Sequence, residues 1–544
     1  MSADGTGGGE GPAPRAPRDI SEAKKTGAAL LEVEGLSVSI GGAPILRDVS
    51  LSLPPGEVLG LVGESGSGKS MTALACMGLL PRAARASGRV ALAGRDLLDL
   101  RERDWLGVRG EEIGMIFQEP MTALNPVHTI GRQVAETLRL RGTGRAEAEA
   151  VARDRLDRVG LGSIPLDRYP HELSGGQRQR VCIAMAIARH PRLLIADEPT
   201  TALDVTTQAQ VLDLLRGLVE EERIGMVLIT HDLGVVAGRA DRVAVMKDGA
   251  VVEAGATEPL FREMRHPYTR DLLAASSPAP RVRREVPARP VLEAEDLVRR
   301  YGDLAAVDGV SLVLNHGEAL GLVGESGCGK STLTRALLGL EPVQGGAIRL
   351  LGRPGGTAMT FADRARISVV FQDPYGSFDP RWSVAKLVAE PFHLTGRPRD
   401  WRDRVGAALE AVGLSTGDMA KYPHEFSGGQ RQRIAIARAL ITEPEIVVLD
   451  EAVSALDVRV RAQVLALLRD LQERMGLSYL FISHDLTVVR AVCDRVLVMR
   501  AGRIVEEGVE VFDAPAHPYT RDLLAAAPVI PPDWRPAPTE AAAP

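Results

Sequence analysis

Two acidic pairs stand where catalysis could be built. LLIADE closes on Asp197 and Glu198, and IVVLDE closes on Asp450 and Glu451. Each pair follows an apolar run of strand length, and α/β sheets place ligand groups at such strand ends. The aspartate suits Mg2+ through a water-mediated contact. The adjacent glutamate projects the opposite way and can polarise an attacking water. Upstream of each pair lies a pattern that holds phosphate. Gly63, Glu64, Ser65, Gly66, Ser67, Gly68, Lys69 and Ser70 spell G-x4-G-K-S. Gly324, Glu325, Ser326, Gly327, Cys328, Gly329, Lys330 and Ser331 spell it again. The glycines let backbone N–H groups turn inward around phosphate oxygens, and the helix start that follows adds partial positive charge. The lysine reaches the β- and γ-phosphates, and the serine hydroxyl can ligate Mg2+. Gln118 in IFQEP and Gln372 in VFQDP put a neutral amide at a strand end, able to contact metal and water without adding charge. His231 and His484 end two further apolar runs, where imidazole can hydrogen-bond a γ-phosphate and sense its loss.

These groups need elements to hold them, and the elements come twice. The phosphate patterns are offset by 261 residues, SGGQRQR (Ser174–Arg180, Ser427–Arg433) by 253, and the decapeptide HPYTRDLLAA (from His266 and from His517) by 251. Such a period means duplication of a whole domain rather than a solenoid. Lys69 to Gln118 spans 49 residues and Lys330 to Gln372 spans 42, so the first half carries extra length there. Downstream the copies keep step: the signature serine to the glutamate is 24 residues in both, and the glutamate to the histidine is 33. Strand-like runs alternate with helical ones, which predicts an α/β layer fold. The expected division is a disordered N-terminal tail (1–28), a first domain (29–275), a Pro-rich basic linker (276–290), a second domain (291–527) and a C-terminal tail (528–544).

Composition bounds the rest. A chain of 544 residues is too long for one core. The formal net charge of -6 sets up no field for nucleic acid, and no nucleic-acid partner is expected. The apolar runs are strand-length, well short of the ~20 residues of a bilayer-spanning helix. The N-terminus has no apolar core of a signal peptide, and the 4 scattered cysteines suggest reduced thiols rather than disulfides or zinc. Any membrane contact is then expected through a partner.

As a set, and in this order, these motifs resemble the nucleotide-binding domains of ABC transporters, over roughly residues 30–275 and 290–526. The resemblance implies two tandem ABC-type P-loop NTPase domains. Each would have a RecA-like core, an antiparallel β subdomain and a helical signature subdomain. It implies ATP and Mg2+ as cofactors and head-to-tail packing with two composite sites. One would use the first phosphate loop with Gln118, Asp197, Glu198 and His231, closed by Ser427, Gly428, Gly429 and Gln430 with Asp457. The other would use the second loop with Gln372, Asp450, Glu451 and His484, closed by Ser174, Gly175, Gly176 and Gln177 with Asp204. Mg2+ would be held by Ser70, Gln118 and Asp197, and by Ser331, Gln372 and Asp450. Adenine would stack on Tyr301, whereas the matching position in the first half is Ile40, which offers no ring.

The HPYT segments, with FQDPYGSFDP (Phe371–Pro380) and FQEPMTALNP (Phe117–Pro126), resemble the dipeptide, oligopeptide and nickel importer branch. That implies an ATP-hydrolysing subunit at the cytoplasmic face of the cell membrane, working with two permease subunits and an external solute-binding protein. Peptide is the expected cargo; nickel, glutathione or another small solute is the alternative. A soluble twin-cassette ATPase acting on ribosomes is a more distant alternative, disfavoured by the short Pro-rich linker. Nothing cysteine-rich follows Cys493, so no iron–sulfur cluster is expected. For the decapeptide itself, the residues suggest a proline-started packing helix with Leu272 and Leu273, or Leu523 and Leu524, to bury.

Overall fold

The computed structural model describes residues 29–534 apart from Ala202, Arg283 and Ala455. The expected N-terminal tail and residues 535–544 lie outside the described residues, as do the first residues of the two Ala-Leu-Asp loops.

Short continuous apolar runs form the central sheet of each half. Val58–Val62, Leu193–Asp197 and Gly225–Thr230 are buried along their whole length. A strand covered on both faces reads as an unbroken hydrophobic run, and that is where parallel sheets occur. The first sheet has six strands in the order Ala250–Ala256, Arg242–Lys247, Val58–Val62, Gly225–Thr230, Leu193–Asp197, Ile113–Ile116. All neighbours are parallel except the hairpin of the first two. In the second half, the sheet runs Arg503–Gly508, Arg495–Arg500, Ala319–Val323, Ser478–Ile482, Ile446–Asp450, Ile367–Val370. A four-stranded antiparallel sheet accompanies each. Helical layers built on Ile130–Arg139, Arg145–Arg158 and Gly175–Ala186, and on Val384–Val388, Trp401–Ala411 and Gly428–Leu440, complete them. The expected α/β architecture is therefore present twice.

The extra length of the first half lies in a longer strand, Ala84–Leu92, against Gly345–Leu350, and in the segment around the helix Glu102–Trp105. Trp105 is buried beneath Gly78, and Arg109 lies 5.0 Å over its ring while donating to the Met77 carbonyl at 2.9 Å. The insertion is thus anchored to the core at its base.

The halves touch through their closing helices. Tyr268 and Leu272 of the helix Pro267–Ser276 share an apolar cluster with Val458, which starts the helix Val458–Met475 of the second half. Conversely, Tyr519 and Leu523 of the helix Pro518–Ala526 share one with Val205, which starts Val205–Glu222 of the first. The linker is pinned rather than loose. Arg281 and Arg284 both grip Asp494, at 2.8 and 2.9 Å, and Arg281 and Asp494 are nearly buried. The described start of the expected C-terminal tail also packs: Ile530 is 3% exposed within the first half's cluster, and Trp534 lies 6.3 Å from Phe261. Burying such an isoleucine stabilises by roughly 1.5–3 kcal/mol. Among the described residues, no helix is long and apolar enough to cross a membrane.

Candidate functional site

Each phosphate loop leaves its strand on a glycine that no other residue could replace without movement. Gly63 has φ 155°, and a Cβ there would sit 2.3 Å from the Met246 carbonyl oxygen. Gly324 has φ 156° and meets Met499 in the same way at 2.2 Å. The helices Lys69–Cys76 and Lys330–Leu337 follow directly. Their N-terminal amides are the unpaired donors that favour an anion. Lys69 Nζ donates to the carbonyls of Gly63 and Glu64, both at 2.8 Å. Lys330 does the same to Gly324 and Glu325 at 2.7 Å. Burial lowers the Lys69 pKa, while Glu198, Asp197 and, from the other half, Asp457 pull it back up.

At the adjacent strand end the two carboxylates take opposite environments. Burial raises the pKa of Asp197, opposed by a hydrogen bond from Ser70 Oγ at 3.3 Å. Burial likewise raises Asp450. A hydroxyl beside a carboxylate short of positive charge is a hard-oxygen donor set of the kind Mg2+ takes alongside nucleotide phosphates. Glu198 turns away on a left-handed backbone, φ 46°, as does Glu451 at 49°. Such strain persists where surrounding structure holds it. Glu198 Oε1 lies 3.1 Å from His231 Nδ1, and its Oε2 accepts from Gln118 Nε2 and Thr201 Oγ1, each at 2.9 Å. Burial pushes this carboxyl up, but His231, Thr201 and Lys69 together outweigh it and hold it at about 2. Glu451 is likewise held below the usual range, with His484 Nδ1 at 3.3 Å.

Ser174 and Ser427 cap the signature helices by a reciprocal box with Gln177 and Gln430. A Cβ on Gly176 would meet Thr207 at 2.3 Å, and one on Gly429 would meet Val460 at 2.3 Å, so the signature turns press on the next helix of their own half. Asp204 and Asp457 cap those helices, accepting from Thr207 N and Val460 N at 3.0 Å. Across the halves, Arg459 pairs with Glu64 of the first phosphate loop at 3.2 Å. Among the described residues, no hydrogen bond or ion pair joins either Ser174–Gln177 or Ser427–Gln430 to the opposite phosphate loop. Tyr301 and Ile40 hold the same place at a hairpin end, paired with Leu304 and Ala43. Tyr301 is half-exposed beneath Arg299, whose guanidinium lies 4.5 Å over the ring, and its hydroxyl bonds Glu341.

Sequence reasoning missed four contacts: Thr201 on Glu198, Arg459 on Glu64, and the hydroxyls of Tyr268 and Tyr519 on the phosphate loops. The verbatim repeat of the decapeptide was a signal for the last two, but only of a helix.

Comparison with known proteins fits this geometry. The family described as "ABC transporter" matches residues 46–201 and 307–454. A second, "Oligopeptide/dipeptide transporter, C-terminal region", matches 252–297 and 505–544. The chain is 50% identical over 527 residues to "Peptidoglycan transport ATP-binding protein YejF" of Agrobacterium fabrum, covering 92% of this chain and 96% of that protein. It is 47% identical over 545 residues to "Glutathione import ATP-binding protein GsiA" of Escherichia coli K12, covering 90% and 87%. Among solved structures, an archaeal ribosome recycling factor, aABCE1, in complex with the stalk protein aP1, aligns with TM-score 0.59 at 22% identity, over 85% of this chain and 87% of that one. At that identity only the twin-cassette fold is shared. With both cassettes and both closing regions matched, the chain belongs to the ABC transporter family, as a twin-cassette ATPase of the branch carrying the oligopeptide/dipeptide transporter C-terminal region.

Proposed function

We propose that this ATPase powers uptake of a small peptide or peptide-like solute through two permease subunits, fed by an external solute-binding protein. It would sit at the cytoplasmic face of the membrane. The observation that carries the reading is the closing HPYT region, present in both halves and packed against the ATP machinery of each. The relatives named for peptidoglycan and glutathione transport put the cargo among peptide-like molecules.

Both sites are equipped to hydrolyse. Glu198 and Glu451 stay ionised at neutral pH and can take the proton of an attacking water. His231 and His484 fix their orientation and stand ready to register the γ-phosphate. Lys69 and Lys330, now on loop carbonyls, are placed to move onto phosphate oxygens. Ser70, Gln118 and Asp197, and Ser331, Gln372 and Asp450, would hold Mg2+, which when bound neutralises phosphate charge. Closure would bring Ser427–Gln430 and Ser174–Gln177 over the opposite nucleotides. The test is ATP hydrolysis by the chain reconstituted with its neighbouring permeases. A binding protein loaded with di- or tripeptide, glutathione or a peptidoglycan peptide should stimulate turnover, and nickel should not. Stimulation by nickel alone would overturn the peptide assignment.

A further inference from the structure

The repeated decapeptide does more than pack. His266 caps its helix, its Nδ1 accepting from Tyr268 N at 3.2 Å, and Pro267 occupies the first turn, where its missing N–H costs nothing. That start aims Tyr268 back at its own phosphate loop. The phenol oxygen accepts the N–H of Glu64 at 3.2 Å. In the second half Tyr519 accepts the N–H of Glu325 at 3.1 Å. Both rings are buried and each carries a cation on its face, Lys247 at 5.0 Å and Arg500 at 4.8 Å. Burial pushes both phenols up to about 12, so the hydroxyl stays neutral.

The bonded N–H belongs to a particular peptide. Gly63 C=O and Glu64 N–H are the two ends of one planar unit, pointing to opposite sides. The carbonyl end receives Lys69 Nζ at 2.8 Å. The amide end donates to Tyr268. The plane follows a glycine at φ 155° and lies beyond the regular sheet ladder, so these two bonds set its orientation. The second half repeats the arrangement with Gly324, Lys330 and Tyr519.

We propose that Tyr268 and Tyr519 are positioning residues of the two phosphate loops, fixing the peptide that holds the loop lysine and tying each loop to the opposite cassette. The inference rests on reading Gly63–Ser70 and Gly324–Ser331 as phosphate loops. The tie across the halves is physical: one turn after Tyr268, Leu272 is buried in the cluster that contains Val458, and Leu523 in the one that contains Val205. A loop displaced by nucleotide therefore loads a helix seated on its neighbour.

Replacing the tyrosine by phenylalanine keeps the ring and removes only the acceptor. A lost neutral hydrogen bond corresponds to about a fivefold change in an equilibrium constant. In the full chain assembled with its permeases, Tyr268→Phe with Tyr519→Phe should raise the KM for ATP about fivefold and leave kcat within about twofold. In a Lys330→Ala chain, Tyr268→Phe should weaken binding of a fluorescent ATP analogue at the first loop by the same factor while lowering the melting temperature by no more than a few degrees, less than the Leu272→Ala packing change does. Leu272→Ala serves as the packing control and should lower the melting temperature. Unchanged nucleotide affinity in Tyr268→Phe would overturn the proposal. So would a fall in kcat at constant KM, or a weakening that Leu272→Ala reproduces in proportion to lost stability. If Lys69→Ala with Lys330→Ala left ATP binding intact, the phosphate-loop reading itself would fail, a result distinct from these.

Discussion

The two candidate sites share their acidic pair, histidine and phosphate-loop lysine and differ in several of the side chains around them. The glutamate–histidine pair and the lysine on its loop carbonyls recur in both at matched geometry. In the first half Gln118 and Thr201 both donate to Glu198, and Arg459 reaches across to Glu64. In the second, Ser454 donates instead to the Glu451 backbone carbonyl at 2.9 Å, and the sequence position matching Arg459 is Thr206. At the position assigned to adenine stacking, the second half has Tyr301 and the first has Ile40. The second half's counterpart of Ser67 is Cys328, whose thiol lies 3.8 Å from Lys330 Nζ.

The largest expected effect tests whether the shared core means shared work. Glu198→Gln and Glu451→Gln each remove the proton acceptor while keeping shape. General-base groups contribute about 10²–10⁴-fold. Each variant should cut transport at least about a hundredfold, measured as solute uptake by proteoliposomes. Near-normal uptake by either would show that one site is dispensable and that matched geometry conceals unequal use.

A smaller effect tests the purine side. Base stacking on an aromatic ring contributes about 1–3 kcal/mol. Tyr301→Ile should weaken ATP at the second site roughly tenfold, and Ile40→Tyr should tighten the first by several fold. Nucleotide titration of chains with the other loop lysine replaced by alanine separates the two. Equal affinities that neither change moves would remove the distinction.

Most of the candidate site was legible because its motifs are local. A phosphate loop, a strand ending in two acids and a strand ending in histidine each carry their meaning within ten residues, and buried parallel strands read as unbroken apolar runs. The fold class followed from their alternation and from the repeat. What stayed hidden was side-chain reach over long separation. Tyr268 meets a loop two hundred residues upstream, and Arg459 meets Glu64 from the other cassette. The aspartates of the Ala-Leu-Asp loops, assigned to closure over ATP, also cap the helices that follow them, a role not read from the sequence. The linker reads from composition as Pro-rich, basic and semi-extended, and nothing in the sequence signalled that Arg281 and Arg284 would both meet Asp494.

The smallest expected effect bears most directly on the asymmetry between the sites. Arg459 and Glu64 are both partly exposed, at 42% and 28% of the side chain, so water screens their attraction. Pairs of that kind contribute about 0.2–1 kcal/mol. Arg459→Thr, which copies Thr206, should therefore weaken ATP at the first loop by only about twofold and leave the second untouched. The converse change, Thr206→Arg, offers Glu325 the same partner and should tighten the second loop by a similar factor. Measured in the same lysine-replaced chains, the two shifts should be opposite in sign and confined to opposite sites. If Arg459→Thr altered both loops equally, the arginine would be acting on the packing of the two halves as a whole and would drop out of the differences between the sites.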